Sequence, residues 1–362
     1  MKEKTKKIVF ISSVATIGAI GGYIQLVSVA FSVIVSSYIN IPSRNDIGEN
    51  KYLYMAMKTR EDYVSLSVRE EVKFNSEKEV LQGYLYEVEN PHGIVISAHG
   101  INGKADNDSA QYQSYFVEQG WDVFSFDMTA CGKSTGDGQE SLHESKKCVK
   151  NAVKFVQNYE KTKNLPICIV GHSWGAYGAI TALDEVDGVK AVAAYSAYDS
   201  PVEMLYSMGE QYMGKVAALT MPAMRLADVT INGKEDFVKA SDVIKKHPDV
   251  NYVIIHGDSD NYIPIDTIST YAKVDKCNCL NIKAIKLEGR THISPWKTKE
   301  SVKYVDEEVL SKRLNPLYKK YGNKIPQAEL DKFLSEIDKD KASELDLETL
   351  NIINQTFLNS VK

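Results

Sequence analysis

Residues 169–179 read IVGHSWGAYGA. A run of β-formers, Ile167–Val170, stops at Gly171. Ser173 follows, then Gly175, and then Ala176, Tyr177, Ala179 and Ile180, which read as helix. A serine between two glycines at a strand-to-helix turn has two readings. Glycine is common at strand ends and serine caps helices. In the pattern G-x-S-x-G the turn is so tight that the serine takes a strained backbone and its hydroxyl stands clear of the strand. A Cβ at either glycine would collide with the neighbouring strand or helix, and the helix N-terminus offers N–H groups to a developing oxyanion. A hydroxyl is a weak nucleophile at neutral pH, so it needs a base within hydrogen-bond reach and a carboxylate to orient that base. Asp258 and Asp260 in HGDSDNYIP (256–264) offer the acid, and His292 in GRTHISPW (289–296) offers the base.

The elements that must position these groups alternate along the chain. Residues 66–74 and 80–88 read as a pair of antiparallel strands, and 93–98, 121–126, 167–170, 189–194, 252–255 and 282–287 as short apolar strands. Helical patterns fall at 108–118, at 142–159 with Val149, Val153 and Val156 on one face, and at 297–310. Such alternation predicts an α/β fold, a mostly parallel sheet covered by helices on both faces. Ligands of such sheets sit beyond the carboxyl ends of the strands. His99, Asp127, Ser173, the pair Asp258 and Asp260, and His292 all follow directly after predicted strands.

The order serine, acid, histidine and the motifs around them resemble the α/β-hydrolase superfamily, in its lysophospholipase-like and serine-aminopeptidase-like branch, over residues 65–312. The resemblance implies the α/β-hydrolase fold and a catalytic triad of Ser173, Asp260 and His292, with Asp258 holding the turn. It implies an oxyanion hole from the backbone N–H groups of Trp174, after the nucleophile, and Ile101, in HGINGK (99–104). His99 then shapes its loop, and His172 is not the base. DMTACGKS (127–134) keeps Asp127, Gly132 and Ser134 of the family element DxRGxGxS. Thr129 stands in place of the arginine and Ala130 in place of the first glycine, which puts local packing in question rather than chemistry.

The implied activity is acyl transfer to water from a small-molecule ester or amide, with no metal and no organic cofactor. A peptidase or amidase on the same triad, and a non-catalytic binding protein of the same fold, remain open. The family places a cap at about 199–245. Residues 204–226 of this segment carry five methionines, a composition that adapts to apolar groups or simply packs the cap onto the core. Residues 313–362 read as a helical extension, with Leu330, Phe333, Leu334 and Ile337, then Leu350, Ile353 and Phe357, at helical spacing. Residues 338–349 are similar to a calcium loop only in outline, with Ser343 where glycine is needed and Thr349 where glutamate is needed.

Composition sets outer limits. The 362 residues are 43% apolar and 25% charged, enough for a sizeable core. The net charge of −5 speaks against a nucleic-acid surface. Five cysteines without regular spacing do not form a disulfide framework, and Cys277 and Cys279 have no second pair for zinc. Lys2, Lys4, Lys6 and Lys7 precede an uncharged run from Ile8 to Ile41. Residues 1–41 therefore read as a signal-anchor that spans the membrane once, with 42–60 a polar linker. The basic flank keeps the N-terminus in the cytoplasm and sends residues 42–362, with the hydrolase-like domain at 61–312, to the far side. The alternative is a cleaved signal peptide, with Ser28-Val29-Ala30 as its site, and a secreted protein.

Overall fold

The structure, a computed structural model, describes residues 16–29, 51–101, 103–106, 109–138, 141–218, 237–277 and 279–362. Eight strands form one sheet: β1 (Glu70–Ser76), β2 (Glu79–Tyr86), β3 (Ile94–Ala98), β4 (Asp122–Phe126), β5 (Ile167–His172), β6 (Val189–Tyr195), β7 (Asn251–Gly257) and β8 (Ile282–Leu287). Their order is β1-β2-β4-β3-β5-β6-β7-β8. β2 is antiparallel to β1 and to β4, and every pairing from β4 to β8 is parallel. The strand expected at 66–74 begins later. Leu66 closes a short 3-10 turn, Val64–Leu66, and packs into the core from there. Leu66 and Val68 have the alternation of a strand, but the partner β2 ends its pairing at Glu70.

The central strands β3, β4 and β5 are buried along their whole length, which is what continuous apolar runs in a doubly covered sheet require. Helices α1 (Lys51–Met55), α2 (Ala110–Glu118), α3 (Glu144–Asn158), α4 (Trp174–Thr181), α5 (Pro201–Met213), α6 (Ala240–Lys246), α7 (Thr270–Val274) and α8 (Lys299–Tyr304) follow in chain order. Val149, Val153 and Val156 of α3 are fully buried against one face of the sheet, with Ile94, Ile96 and Ile169. Cys168 is fully buried on the other face. Of the expected cap, α5 and α6 are described, and residues 219–236 between them lie outside the described residues.

Beyond α8 come a π-helical stretch (Val305–Leu314) and the helices α9 (Asn315–Tyr321), α10 (Gln327–Ser335), α11 (Lys339–Ala342) and α12 (Leu347–Ser360). The two amphipathic patterns of the extension serve different clusters. Leu330 and Phe333 of α10 pack with Tyr52 and Leu53 of α1. Leu350, Ile353 and Phe357 of α12 join the core face that holds Phe116 and Trp121. Phe357 stacks on Phe116 at 5.8 Å, and Asn354 accepts from the Trp121 indole N–H at 2.8 Å. Each such fully buried aromatic or aliphatic side chain contributes about 1.5–3 kcal/mol, so α12 belongs to the sheet's own core.

The membrane-spanning helix expected from residues 1–41 is not among the described helices. Only 16–29 of the uncharged run is described. It is helical and, at about 1.5 Å per residue, shorter than the roughly 30 Å hydrocarbon core of a bilayer. No helix among the described residues is long and apolar enough to cross a membrane.

The loop after β4 explains its own sequence. Asp127 accepts from the N–H groups of Ala105 and Lys133, both at 2.9 Å, and from the Tyr84 hydroxyl. Gly132 is needed there, since its Cβ would fall 2.2 Å from the Asp127 carboxylate. Thr129 bonds Glu144 and lies 3.3 Å from the Cys148 sulfur, a packing that an arginine would not fit. Ala130 has a φ of 58°, the left-handed region that glycine adopts without steric cost. Ala130→Gly is expected to raise stability by about 0.5–1 kcal/mol, read from the urea unfolding midpoint, and an unchanged or lower midpoint would contradict the strain at this position.

Candidate active site

Ser173 stands between β5 and α4 with φ 53° and ψ −114°. The two glycines make this conformation possible. A Cβ on Gly171 would lie 2.6 Å from the Gly175 carbonyl oxygen, and one on Gly175 would lie 2.2 Å from the Ala98 carbonyl oxygen. The elbow is thus clamped to the end of β3, and the Ser173 N–H is fixed by the Tyr195 carbonyl at 2.8 Å.

The loops after β7 and β8 bring the acid and base candidates to the same end of the sheet. His292 Nε2 lies 2.9 Å from Ser173 Oγ, and His292 Nδ1 lies 2.7 Å from Asp260 Oδ2. Ser173, His292 and Asp260 therefore form one hydrogen-bonded row, with the Asp260 side chain fully buried. The other Asp260 oxygen accepts the N–H groups of Tyr262 at 2.9 Å and Ile263 at 2.8 Å. Asp258 instead takes the Gly289 N–H at 2.7 Å and faces away from the row.

Among the histidines only His292 has the geometry of a base toward Ser173. His172 Nε2 donates to the His292 carbonyl at 2.9 Å and so steadies the backbone of the base loop. Burial, and then the nearby His292, push its pKa down to about 3, so it stays neutral. His99 accepts the Met128 N–H at Nε2 and reaches the Gly100 carbonyl at 2.7 Å through Nδ1, which ties the loop after β3 to the loop after β4. Burial lowers its pKa too.

Trp174 is the first residue of α4, where a backbone N–H has no partner within the helix. Its indole N–H is held by the Leu142 carbonyl at 2.8 Å. Ile101 lies in a turn closed by the Gly103 N–H on the Gly100 carbonyl, at 3.0 Å. A Cβ on Gly100 would lie 3.6 Å from the Ser173 Cβ, so this turn runs alongside the serine. Ile101 and Trp174 thus flank Ser173 from two separate backbone segments.

Two neighbours of the row were not singled out in the sequence. His256 is fully buried, and its Nε2 donates to the Ile263 carbonyl at 2.8 Å while lying 3.3 Å from Asp260 Oδ2. Tyr262, 60% exposed, holds its ring 5.3 Å from that of His292 and forms an open wall of the site. The spacing H-x-x-x-D was visible in HGDSD, but a histidine at the end of a strand carries no mark of which face it takes.

The family model described as serine aminopeptidase, S33, matches residues 89–250. That segment of the chain is similar to an α/β-hydrolase family. The match includes Ser173 and the HGINGK turn and ends before Asp260 and His292, which lie in later loops of the chain. Among solved structures, an esterase of Pyrococcus furiosus is similar at 18% identity, over 71% of this chain and 92% of that one, with a TM-score of 0.48. Est1E of Butyrivibrio proteoclasticus, solved with ferulic acid bound, is similar at 20% identity over 61% and 91%, with a TM-score of 0.48. An alpha-beta serine hydrolase homologue of Coxiella burnetii is similar at 16% identity over 62% and 89%, with a TM-score of 0.41. No curated protein matches the sequence.

Burial alone would raise the Asp260 carboxyl, but the hydrogen bonds from His256, His292 and the Ile263 N–H outweigh it and hold the pKa well below the usual carboxylate range. A folded-state pKa below the unfolded value of about 3.9 contributes stability that is fully present above that pH. This stability is lost as pH falls toward the folded value. Asp260→Asn, which does not titrate, is therefore expected to lose less stability than the wild type between about pH 5 and pH 2. Urea midpoints across that range measure this, and parallel curves for the two proteins would contradict it.

Proposed function

We propose that the hydrolase cleaves carboxylic esters through an acyl-enzyme. The observation that carries this reading is the pair of contacts on one imidazole, His292 to Ser173 at 2.9 Å and to Asp260 at 2.7 Å. Ser173 Oγ attacks the acyl carbonyl while His292 Nε2 takes the hydroxyl proton. Asp260 holds the imidazole by its Nδ1–H and stabilises the imidazolium that forms. The N–H groups of Trp174 and Ile101 receive the oxyanion. His292 returns the proton to the leaving alcohol, and water, deprotonated by the same nitrogen, then cleaves the acyl-enzyme and frees Ser173. The residues suffice for this chemistry without a metal or organic cofactor. A preference for lipid or other apolar acyl groups rests on the methionine-rich sequence of residues 204–226.

A peptidase or amidase is the second reading, favoured by the description of the matching family as a serine aminopeptidase. The same residues serve an amide, and a panel of esters of varied acyl length beside aminoacyl amides separates the two. Ser173→Ala is expected to lower ester turnover by about 1000-fold or more with the fold retained. A fluorophosphonate is expected to label Ser173 in the wild type and to fail in His292→Ala. An unlabelled wild type would favour a binding protein that merely keeps the fold.

The same proposal places the hydrolase domain outside the cytoplasmic membrane, held by the N-terminal segment. It is supported by the four lysines before the uncharged run and by the helix at 16–29, on which Ile17, Ile20, Tyr23, Leu26 and Val29 are all exposed. Cys131, Cys148 and Cys168 are buried, and burial pushes the Cys148 thiol up to about 12, which shields it from oxidation outside the membrane. Protease added to intact cells or spheroplasts is expected to digest the domain. Protection until the membrane is lysed would reverse the orientation, and a soluble product starting near Phe31 would mean a cleaved signal peptide.

A further inference from the structure

Arg290 precedes His292 by two residues, and it is 8% exposed. A buried guanidinium is costly unless its donors find acceptors. Its Nε donates to the Lys297 carbonyl at 2.6 Å, and one terminal nitrogen donates to the Glu288 carbonyl at 3.1 Å. Glu288 and Lys297 lie at the two ends of the loop that carries His292, so the planar fork ties the loop across its own base. The backbone of Arg290 reaches the acid loop as well. Its carbonyl accepts the N–H of Ser259, the residue before Asp260, at 3.1 Å, and it fills the space a Cβ on Gly257 would need, 2.2 Å away.

The second terminal nitrogen of Arg290 meets Asp346 at 3.2 Å. Asp346 belongs to the C-terminal extension, which runs edge to edge with the base loop. The Asp346 N–H donates to the Trp296 carbonyl at 2.8 Å, the Thr298 N–H to the Glu344 carbonyl at 2.9 Å, and Leu345 forms a β-bridge with Lys297. Asp346 also caps α12 by accepting the Thr349 N–H at 3.2 Å. Because α12 is packed into the sheet's core through Leu350, Ile353 and Phe357, the ion pair ties the base loop to a rigid element.

We propose that Arg290, anchored by Asp346, is a positioning residue that sets His292 against Ser173 and Asp260, so that the C-terminal extension is part of the active-site scaffold. This rests on the triad reading of the site. Lysine keeps the charge but cannot bridge the two carbonyls and the carboxylate at once. A displaced imidazole impairs proton transfer and leaves ground-state substrate contacts in place, so the loss falls on kcat and not on KM.

The test uses the full chain in detergent, with kcat on a p-nitrophenyl ester normalised to the fraction of protein that a fluorophosphonate labels at completion. Arg290→Lys is expected to lower kcat roughly 10- to 100-fold with KM held within about twofold. Asp346→Asn retains a good helix cap and the side-chain volume while removing the charge, and it is expected to lower kcat about 3- to 10-fold. A purely structural role would lower the melting temperature and leave the normalised kcat unchanged. A normalised kcat within about twofold of wild type in Asp346→Asn overturns the proposal, even where Arg290→Lys fails to fold. A wild type that neither labels nor turns over ester fails the triad reading instead.

Discussion

The backbone of Gly175 lies against the carbonyls of Ala98 and His99 so closely that no side chain fits between them. Much of the site depends on this contact. It draws the start of α4 under the end of β3 and forces Ser173 into a conformation that costs about 1–3 kcal/mol for a residue with a side chain. It also sets the turn at Gly100–Gly103 beside the serine. The strain persists because the parallel sheet on either side over-determines it: β5 is paired with both β3 and β6, and its residues are all buried.

Around that fixed point the electrostatics set one histidine, His292, apart from its neighbours by its contacts with Ser173 and Asp260. His172 and His99 lie close by, yet burial keeps both neutral, and His99 spends both ring nitrogens, His172 its Nε2, on loop backbone. Asp260 is treated oppositely. Buried as deeply as they are, it is surrounded by donors from His256, His292, Tyr262 and Ile263 and so keeps its charge. The same burial thus silences two imidazoles and, where donors are supplied, sustains a carboxylate.

What was legible in the sequence is what local chemistry dictates. Gly171 and Gly175 announce the elbow because nothing larger fits, and the apolar runs of β3, β5 and β7 announce a buried parallel sheet because only that environment demands them. Ala130 was visible as a departure from the family element, but its positive φ was not, since an alanine carries no sign of the backbone it has been forced to adopt. Leu66 looked like a strand residue because alternation does not report whether a partner strand is present. The partnership of Arg290 with Asp346 spans 56 positions and two loops, and neither residue has a neighbour pattern that names the other. The separate destinations of α10 and α12 were equally silent, because helical spacing defines an apolar face without saying what covers it.

The place of α12 in the core has a consequence for the order of assembly. The aromatic surface that Phe116 and Trp121 present is closed by Phe357, and the loop that bears His292 is braced by Asp346. A ribosome delivers Ser173 with its glycines long before either of those residues has left the exit tunnel. The nascent chain therefore presents Ser173 without a completed floor beneath it, and the loop that bears His292 gains its brace only when the last helix docks.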